Sequence, residues 1–122
     1  MNSNTQTKLK DKMVLLCTKD SKFGTGNFHS DSFETNGERL KMFYSGQAMG
    51  RYDHTLEDAV NRELEFTVYF RSKNNMPFSF IGVTKHVQII RHRQCAKNTY
   101  AAEDERLLLG LTFAQYNAPS GP

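Results

Sequence analysis

The sequence predicts a mostly β domain with minor α content, built as a small antiparallel barrel or pseudo-barrel with one short helix. A chain of 122 residues is long enough for one domain with one modest core. In Glu65–Arg71 apolar residues alternate with polar ones, which is the period of a half-buried strand. Several short apolar segments are separated by turn-forming residues, and a barrel would remove their exposed edges. An open α+β sheet is the alternative.

The first third of the chain contains one predicted strand and a long turn-rich segment. We expect residues 1–12 to form a flexible or helical lead-in, and Met13–Thr18 to form the first strand. Lys19–Gly37 combines glycines with Asp, Ser and Asn residues, which indicates a loop. Long loops in small domains are usually functional or mobile. The single domain is therefore expected to begin at residue 13 and to contain this loop.

The remaining elements are short strands and one helix. Thr55 is placed to cap a helix of about two turns, because Asp58 follows three residues later. The predicted strands are Leu40–Tyr44, Glu65–Arg71, Phe78–Val83, Val87–His92 and a last one that starts at Leu107. The third and fourth of these are either two strands or one long strand bent near Thr84. The domain then ends at residue 116, and residues 117–122 are expected to be a disordered tail.

Charge and cysteine usage indicate the kind of partner and compartment. The net charge of +3 and the isoelectric point near 8.9 favour an anionic partner, such as nucleic acid. Cys17 and Cys95 are far apart, so two buried thiols in a reducing compartment are favoured over one disulfide. The run Val14–Cys17 is too short for a signal peptide or a membrane span. The sequence predicts a soluble, intracellular protein, cytoplasmic or nuclear, with no membrane partner.

No residue pattern predicts a catalytic centre, a metal or a cofactor. Residues 24–26 read Gly-Thr-Gly, like the start of a dinucleotide motif, but His29 occupies the third glycine position and a turn is favoured. His54 and Glu57 are three residues apart, and two ligands alone bind metal poorly. Neither cysteine lies in a pattern that would activate it. We therefore expect a binding module rather than an enzyme.

The first candidate site is the polar head, residues 43–54. It combines aromatic rings, a carboxamide, a guanidinium and an imidazole, and its candidate contact residues are Tyr44, Gln47, Arg51, Tyr52 and His54. A carboxamide matches a base edge, a guanidinium matches a phosphate, and an aromatic ring stacks on a planar ligand. The alternative is a strand that runs into a capped helix, with Phe43 or Tyr44 in the core and Arg51 paired with Asp53.

The second candidate is the basic strand, residues 85–93. Its basic residues are Lys85, His86, Arg91, His92 and Arg93, and Lys97 follows shortly after it. Alternation places Lys85, Arg91 and Arg93 on one face of a strand, where they would neutralise several phosphates. A charged strand that protects a sheet edge explains the same residues equally well.

The central part of the chain resembles a known domain family. The residues that carry the resemblance are Phe43-x-Ser45-x-Gln47, Arg51-Tyr52, Val68-Tyr69-Phe70-Arg71 and Pro77-Phe78-x-Phe80-Ile81-Gly82. They are similar to an accessory β domain at the C-terminal end of some bacterial superfamily-two helicases and restriction-type proteins. The resemblance implies a DNA-binding β-barrel without catalysis, in which Ser45, Gln47 and Arg51 line the site. Ala48 departs from the family pattern, which has Asn there.

These observations lead to three hypotheses about function. The first is a nucleic-acid-binding module that uses the polar head and the basic strand. The second is a viral or mobile-element protein that binds a host or defence protein. The third is a protein that sequesters a nucleotide-like small molecule at a subunit boundary, which leaves a homodimer open.

Overall fold

Strands make up most of the chain in the computed structural model, which describes residues 6–23, 27–29, 32–36, 38–46, 51–73, 75–91 and 107–118. In chain order, the elements within these residues are β1 (Gln6–Lys8), β2 (Lys12–Phe23), β3 (Asn27–His29), β4 (Ser32–Asn36), β5 (Arg39–Ser45), α1 (Asp53–Asn61), β6 (Glu65–Lys73), β7 (Ser79–Thr84), β8 (Val87–Arg91) and β9 (Leu108–Phe113). The predicted fold class, mostly β with minor α, is confirmed.

The described strands form two sheets and do not close into a barrel. The first sheet has the order β1-β2-β6-β7, with β3 paired to the far end of β2. The second sheet has the order β4-β5-β9-β8. Among the described strands every pairing is antiparallel except that of β2 with β6, which is parallel. The barrel expectation failed because strand alternation predicts which face is buried, and two stacked sheets bury one face as well as a closed barrel does.

The core lies between the two sheets and is built from alternate residues of four strands. The first sheet contributes Met13, Leu15 and Cys17 from β2, and Phe66, Val68 and Phe70 from β6. The second sheet contributes Leu40, Met42 and Tyr44 from β5, and Leu109, Leu111 and Phe113 from β9. Leu56 and Ala59 of α1 complete the same cluster. The edge of the Phe33 ring meets Phe70 with 5.3 Å between ring centroids, which ties β4 of one sheet to β6 of the other.

β7 and β8 are two strands that belong to different sheets. Thr84, the last residue of β7, is buried. Its Oγ1 donates a hydrogen bond of 2.6 Å to the carbonyl of Thr112 in β9. The amide of His86 donates to the same hydroxyl at 2.9 Å. The chain therefore crosses from one sheet to the other at Thr84, which settles the choice between one bent strand and two.

Two segments predicted to be irregular contain strands, and the start of the predicted tail is hydrogen-bonded to β7. The predicted flexible or helical lead-in contains β1, which pairs with Met13–Leu15 of β2. The predicted loop Lys19–Gly37 contains the end of β2 together with β3 and β4. The predicted tail starts at Asn117, whose amide donates to the carbonyl of Ile81 at 2.8 Å. Polar composition did not reveal these strands because their stabilisation comes from pairing with strands already in a sheet.

The helix α1 begins two residues before the predicted cap and ends in a left-handed residue. Tyr52, with a φ of 65°, occupies the N-cap position in place of Thr55. At the other end Leu64 N donates to Ala59 O and Glu63 N donates to Val60 O, each at 3.0 Å. This is the Schellman pattern, with Glu63 in the left-handed position that glycine usually occupies.

Replacing a core phenylalanine should cost far more stability than replacing an exposed one on a neighbouring strand. Phe66 is 0% exposed and Phe80 is 44% exposed. We expect Phe66→Ala, and likewise Leu109→Ala, to lower the free energy of unfolding by about 3 kcal/mol, because each leaves a cavity. Phe80→Ala should change it by less than about 1 kcal/mol. Urea denaturation measures all three, and equal losses for Phe66→Ala and Phe80→Ala would refute this description of the core.

The strained end of α1 gives a stabilising substitution. Glu63 has a φ of 55°, which costs a residue with a side chain about 1–2 kcal/mol and costs glycine almost nothing. After the entropy of an unfolded glycine is subtracted, Glu63→Gly should stabilise the domain by about 0.5–1 kcal/mol. Glu63→Ala removes the same carboxylate but retains the strain, so the midpoint of urea denaturation should rise for glycine only.

Candidate functional site

The base of the polar head is the buried end of β5. Tyr44 is fully buried, and its hydroxyl donates a hydrogen bond of 3.0 Å to Gln6 Oε1. Ser45 is also buried, and the amide of Gly46 donates to the carbonyl of Leu107 at 2.9 Å. Tyr44 is thus a core residue, as the structural alternative expected. Tyr44 lies on the core face of β5 with Leu40 and Met42, and Ser45 is buried on the opposite face of the strand.

Three predicted contact residues, Arg51, Tyr52 and His54, are exposed at the start of α1. Tyr52 is 48% exposed, and its ring lies beside that of His54 with 6.4 Å between centroids. Its left-handed backbone turns the chain into the helix, and its carbonyl accepts a hydrogen bond from Thr55 N at 3.0 Å. An aromatic ring, an imidazole and a guanidinium therefore share one exposed corner.

Gln6 fixes this corner to the first sheet. Its Nε2 donates to the carbonyl of Tyr52 at 3.2 Å, while its Oε1 accepts from the Tyr44 hydroxyl. One buried carboxamide on β1 thereby joins the end of β5 to the start of α1. Sequence reasoning missed Gln6, because a glutamine in a polar N-terminal segment carries no signal of burial.

Asp53 fixes the same corner to the second sheet. Its Oδ2 accepts a hydrogen bond of 3.2 Å from the amide of Leu107, one residue before β9. A Cβ added at Gly46 would lie only 2.9 Å from Asp53 Oδ1, so glycine allows the carboxylate to approach β5 closely. Asp53 is also the acidic residue in the first turn of α1, where its negative charge interacts favourably with the positive end of the helix dipole.

The register of the second sheet separates the two ends of the basic strand. Leu108 pairs with Ser45 of β5 on one side and with Arg91 of β8 on the other. Val87, at the other end of β8, pairs with Leu111. The Arg91 end therefore lies at the end of the sheet that carries the polar head. Lys85, which is exposed, lies at the opposite end.

Some predicted site residues lie outside the described part of the chain. Gln47 of the polar head and Arg93 of the basic strand are both outside it, as are His92 and Lys97. For Arg91 the backbone register alone is described. Cys17 is buried, as expected, and Cys95 is outside the described residues.

Ion pairs hold α1 against β1 on the side away from the exposed corner. Asp58 lies 3.1 Å from Lys8 Nζ and 3.3 Å from Arg62 Nη1. Hydrogen bonds from Lys8 and then Arg62 lower the pKa of Asp58. These two cations favour the ionised form of Asp58 and offset its negative charge, and Arg62 is engaged within the fold.

A second surface is the outer face of β6 and β7. Tyr69 pairs with Phe80 across the two strands, and their rings are in edge contact with 5.5 Å between centroids. The guanidinium carbon of Arg71 lies 4.2 Å from the centroid of the Phe78 ring. The sequence signal for this surface is the aromatic and cationic character of those residues of β6 that alternate with the buried ones.

Among the described residues, no three His, Cys, Asp or Glu side chains cluster as a metal site would require. None of the described helices has both the length and the apolar character needed to cross a membrane.

Tyr44→Phe tests the interior role of this residue. The substitution leaves the carboxamide oxygen of Gln6 without its hydroxyl donor, so we expect a loss of about 1–2 kcal/mol in unfolding free energy. Tyr69→Phe removes a hydroxyl from a half-buried position and should cost less than about 0.5 kcal/mol. Urea denaturation compares the two. An unchanged stability for Tyr44→Phe would contradict the proposed link between β1, β5 and α1.

Comparison with known proteins gives no relative: no family model, no curated protein and no solved structure matches this chain.

Proposed function

We propose that this protein is a non-catalytic module that binds nucleic acid at the end of the second sheet. The observation that supports this is the convergence of two basic segments. Exposed Arg51, Tyr52 and His54 stand at the start of α1, and the Arg91 end of β8 pairs beside the same end of β5 and β9. Two segments 40 residues apart in sequence thus meet at one end of the sheet.

The chemistry of this corner matches a phosphate backbone with an accessible base. A guanidinium binds phosphate oxygens through two parallel hydrogen bonds, and an exposed tyrosine ring stacks on a base or a sugar. The turn at Tyr52 is held by Gln6 and the start of α1 is held by Asp53, so these groups stand on a fixed base. A fixed base lowers the entropy that binding must remove from the side chains.

The resemblance to the accessory β domain supports the same class of ligand. In that family the corresponding segment is expected to face DNA, and Arg51 would be its cation here. Ser45 is buried, so a contact from its side chain forms no part of the proposal. Gln47 remains a candidate contact, and Ala48 in place of the family's Asn removes a carboxamide beside it.

Equilibrium binding with salt titration tests this proposal. Labelled duplex and single-stranded oligonucleotides are titrated with the wild-type chain and followed by fluorescence anisotropy. Affinity should fall linearly with the logarithm of salt concentration. Arg51→Ala should weaken binding and reduce the slope by about 1, as loss of one phosphate contact does. Gln47→Ala combined with Arg51→Ala should abolish binding, with a stability cost below about 1 kcal/mol.

Arg39→Ala is the matched control, because Arg39 is an exposed arginine at the opposite end of β5. It removes the same charge at a distance from the proposed site and should leave the salt slope unchanged. Binding that ignores salt, or an Arg39→Ala loss equal to that of Arg51→Ala, would refute a site at this corner.

A further inference from the structure

The outer face of the first sheet carries a second group of ligand-binding side chains. We call it the aromatic face, and it consists of Tyr69, Arg71, Phe78, Phe80 and Val83. Leu16, Tyr69 and Phe80 form one row across β2, β6 and β7, and Thr67 and Val83 pair in the row beside it. The bulge in the pairing of β6 with β7 keeps Phe80 and Val83 on the same face although they are three residues apart, and this face is opposite to the one that carries Phe66 and Phe70.

Phe80 offers an accessible ring for stacking. Phe80 and Val83, three residues further along β7, are both among the exposed large hydrophobic residues. The Tyr69 ring meets that of Phe80 at 62°, so Tyr69 holds Phe80 by its edge. Two adjacent aromatic rings on a sheet are the arrangement on which single-stranded bases stack in several nucleic-acid-binding folds.

Arg71 supplies a cation beside these rings. Its Nε donates to Thr18 Oγ1 at 3.0 Å, and its plane lies against Phe78. Its side chain is half-buried, and this burial lowers the pKa of the guanidinium. In the part of the chain that the structure describes, no carboxylate forms an ion pair with Arg71. Within the described residues this partly desolvated cation has one side-chain hydrogen bond and no ion pair, and a phosphate that binds there would stabilise it through its other N–H donors.

The charges beside Arg71 favour an anionic ligand. Lys12 pairs in register with Glu65, and Asp20 pairs in register with Lys73. Lys12 and Glu65 therefore offset each other, and Arg71 stands beside the rings with the uncharged Thr18 as its register partner.

A cleft beside β7 gives room for a base. It has a volume of about 340 Å³ and lies between Phe80–Val83 and Gln115–Asn117. Asn117 donates through its amide to the carbonyl of Ile81 and through Nδ2 to the carbonyl of Phe80 at 3.2 Å, which holds this wall in position. The carboxamides of Gln115 and Asn117 provide donors and acceptors of the kind that read a base edge.

We propose that the aromatic face binds a single strand of nucleic acid, with bases stacked on Phe80 and in the adjacent cleft and a phosphate on Arg71. The proposal rests on the proposed function for its class of ligand but uses a different surface. A duplex keeps its bases stacked inside and presents none to Phe80. The aromatic face therefore adds selectivity for unpaired strands to a protein whose polar head and Arg91 end bind phosphates.

The test compares strand types and two kinds of variant by anisotropy. With a labelled oligothymidylate, Phe80→Ser should weaken binding roughly 5- to 150-fold, the usual value of one stacked base. Arg71→Gln should reduce the single-strand salt slope by about 0.7. Neither should change binding of a duplex of the same length. Phe80→Tyr retains the ring and should retain the affinity. Leu9→Ser, at an exposed apolar residue beyond the opposite edge of the sheet, is the matched control and should have no effect.

Each other outcome has a defined meaning. Unchanged single-strand binding in both Phe80→Ser and Arg71→Gln overturns the proposal, and a change in self-association alone would identify an interface between copies. Equal losses for duplex and single strand overturn its selectivity. Competition by a free nucleoside monophosphate as effective as the strand itself would make this a nucleotide site instead. If the wild type binds no nucleic acid, the proposed function fails as well. If Phe80→Ser weakens binding and Arg51→Ala does not, the proposed site at the polar head fails while the aromatic face stands.

Discussion

The parallel pairing of β2 with β6 is the constraint on which the other features of the fold depend. It extends from Lys12 beside Glu65 to Asp20 beside Lys73 and forms the centre of the first sheet. Parallel neighbours cannot be joined by a tight turn, so the chain between them must make a long crossover. Here the crossover contains β3, β4, β5 and α1. The second sheet and the helix are therefore held over one face of the first sheet, and the core forms between them.

The same constraint explains why the fold has two different exposed surfaces. Because the crossover covers one face of the first sheet, Phe66, Val68 and Phe70 are buried, while Tyr69 and Arg71 stay on the other face. The return of the chain from α1 to β6 also brings the helix start against β1, where Gln6 joins it to β5. The polar corner lies at a sheet end and the aromatic face on a sheet surface, so each can bind without rearranging the other.

Sequence patterns predicted the parts of the fold whose stabilisation is local to one strand. The alternation of Glu65–Arg71 identified β6 and its buried residues, and the apolar runs identified β5, β7 and β9 within a few residues. Pairing between distant strands left no such trace. β1 is polar and short, and its place depends on Gln6 bonding to Tyr44 and Tyr52. For the site, Arg51, Tyr52 and His54 are exposed, but Tyr44 and Ser45 are buried. Alternation from Leu40 and Met42 indicates the core position of Tyr44, whereas the burial of Ser45, on the opposite face of β5, depends on tertiary structure. The register that separates Lys85 from Arg91 also needed the structure.

The position of Arg71 is difficult to explain by stability alone. Its aliphatic stem and plane cover Phe78, but an uncharged side chain of similar length would cover that ring without desolvating a cation. Within the described residues Arg71 has one side-chain hydrogen bond, to Thr18, and no ion pair. A guanidinium held by one bond and one ring, with donors left over, is typical of sites prepared for a ligand of opposite charge. The stacking on Phe78 keeps the guanidinium in a fixed plane, so a phosphate that binds there meets donors already oriented beside the exposed ring of Phe80.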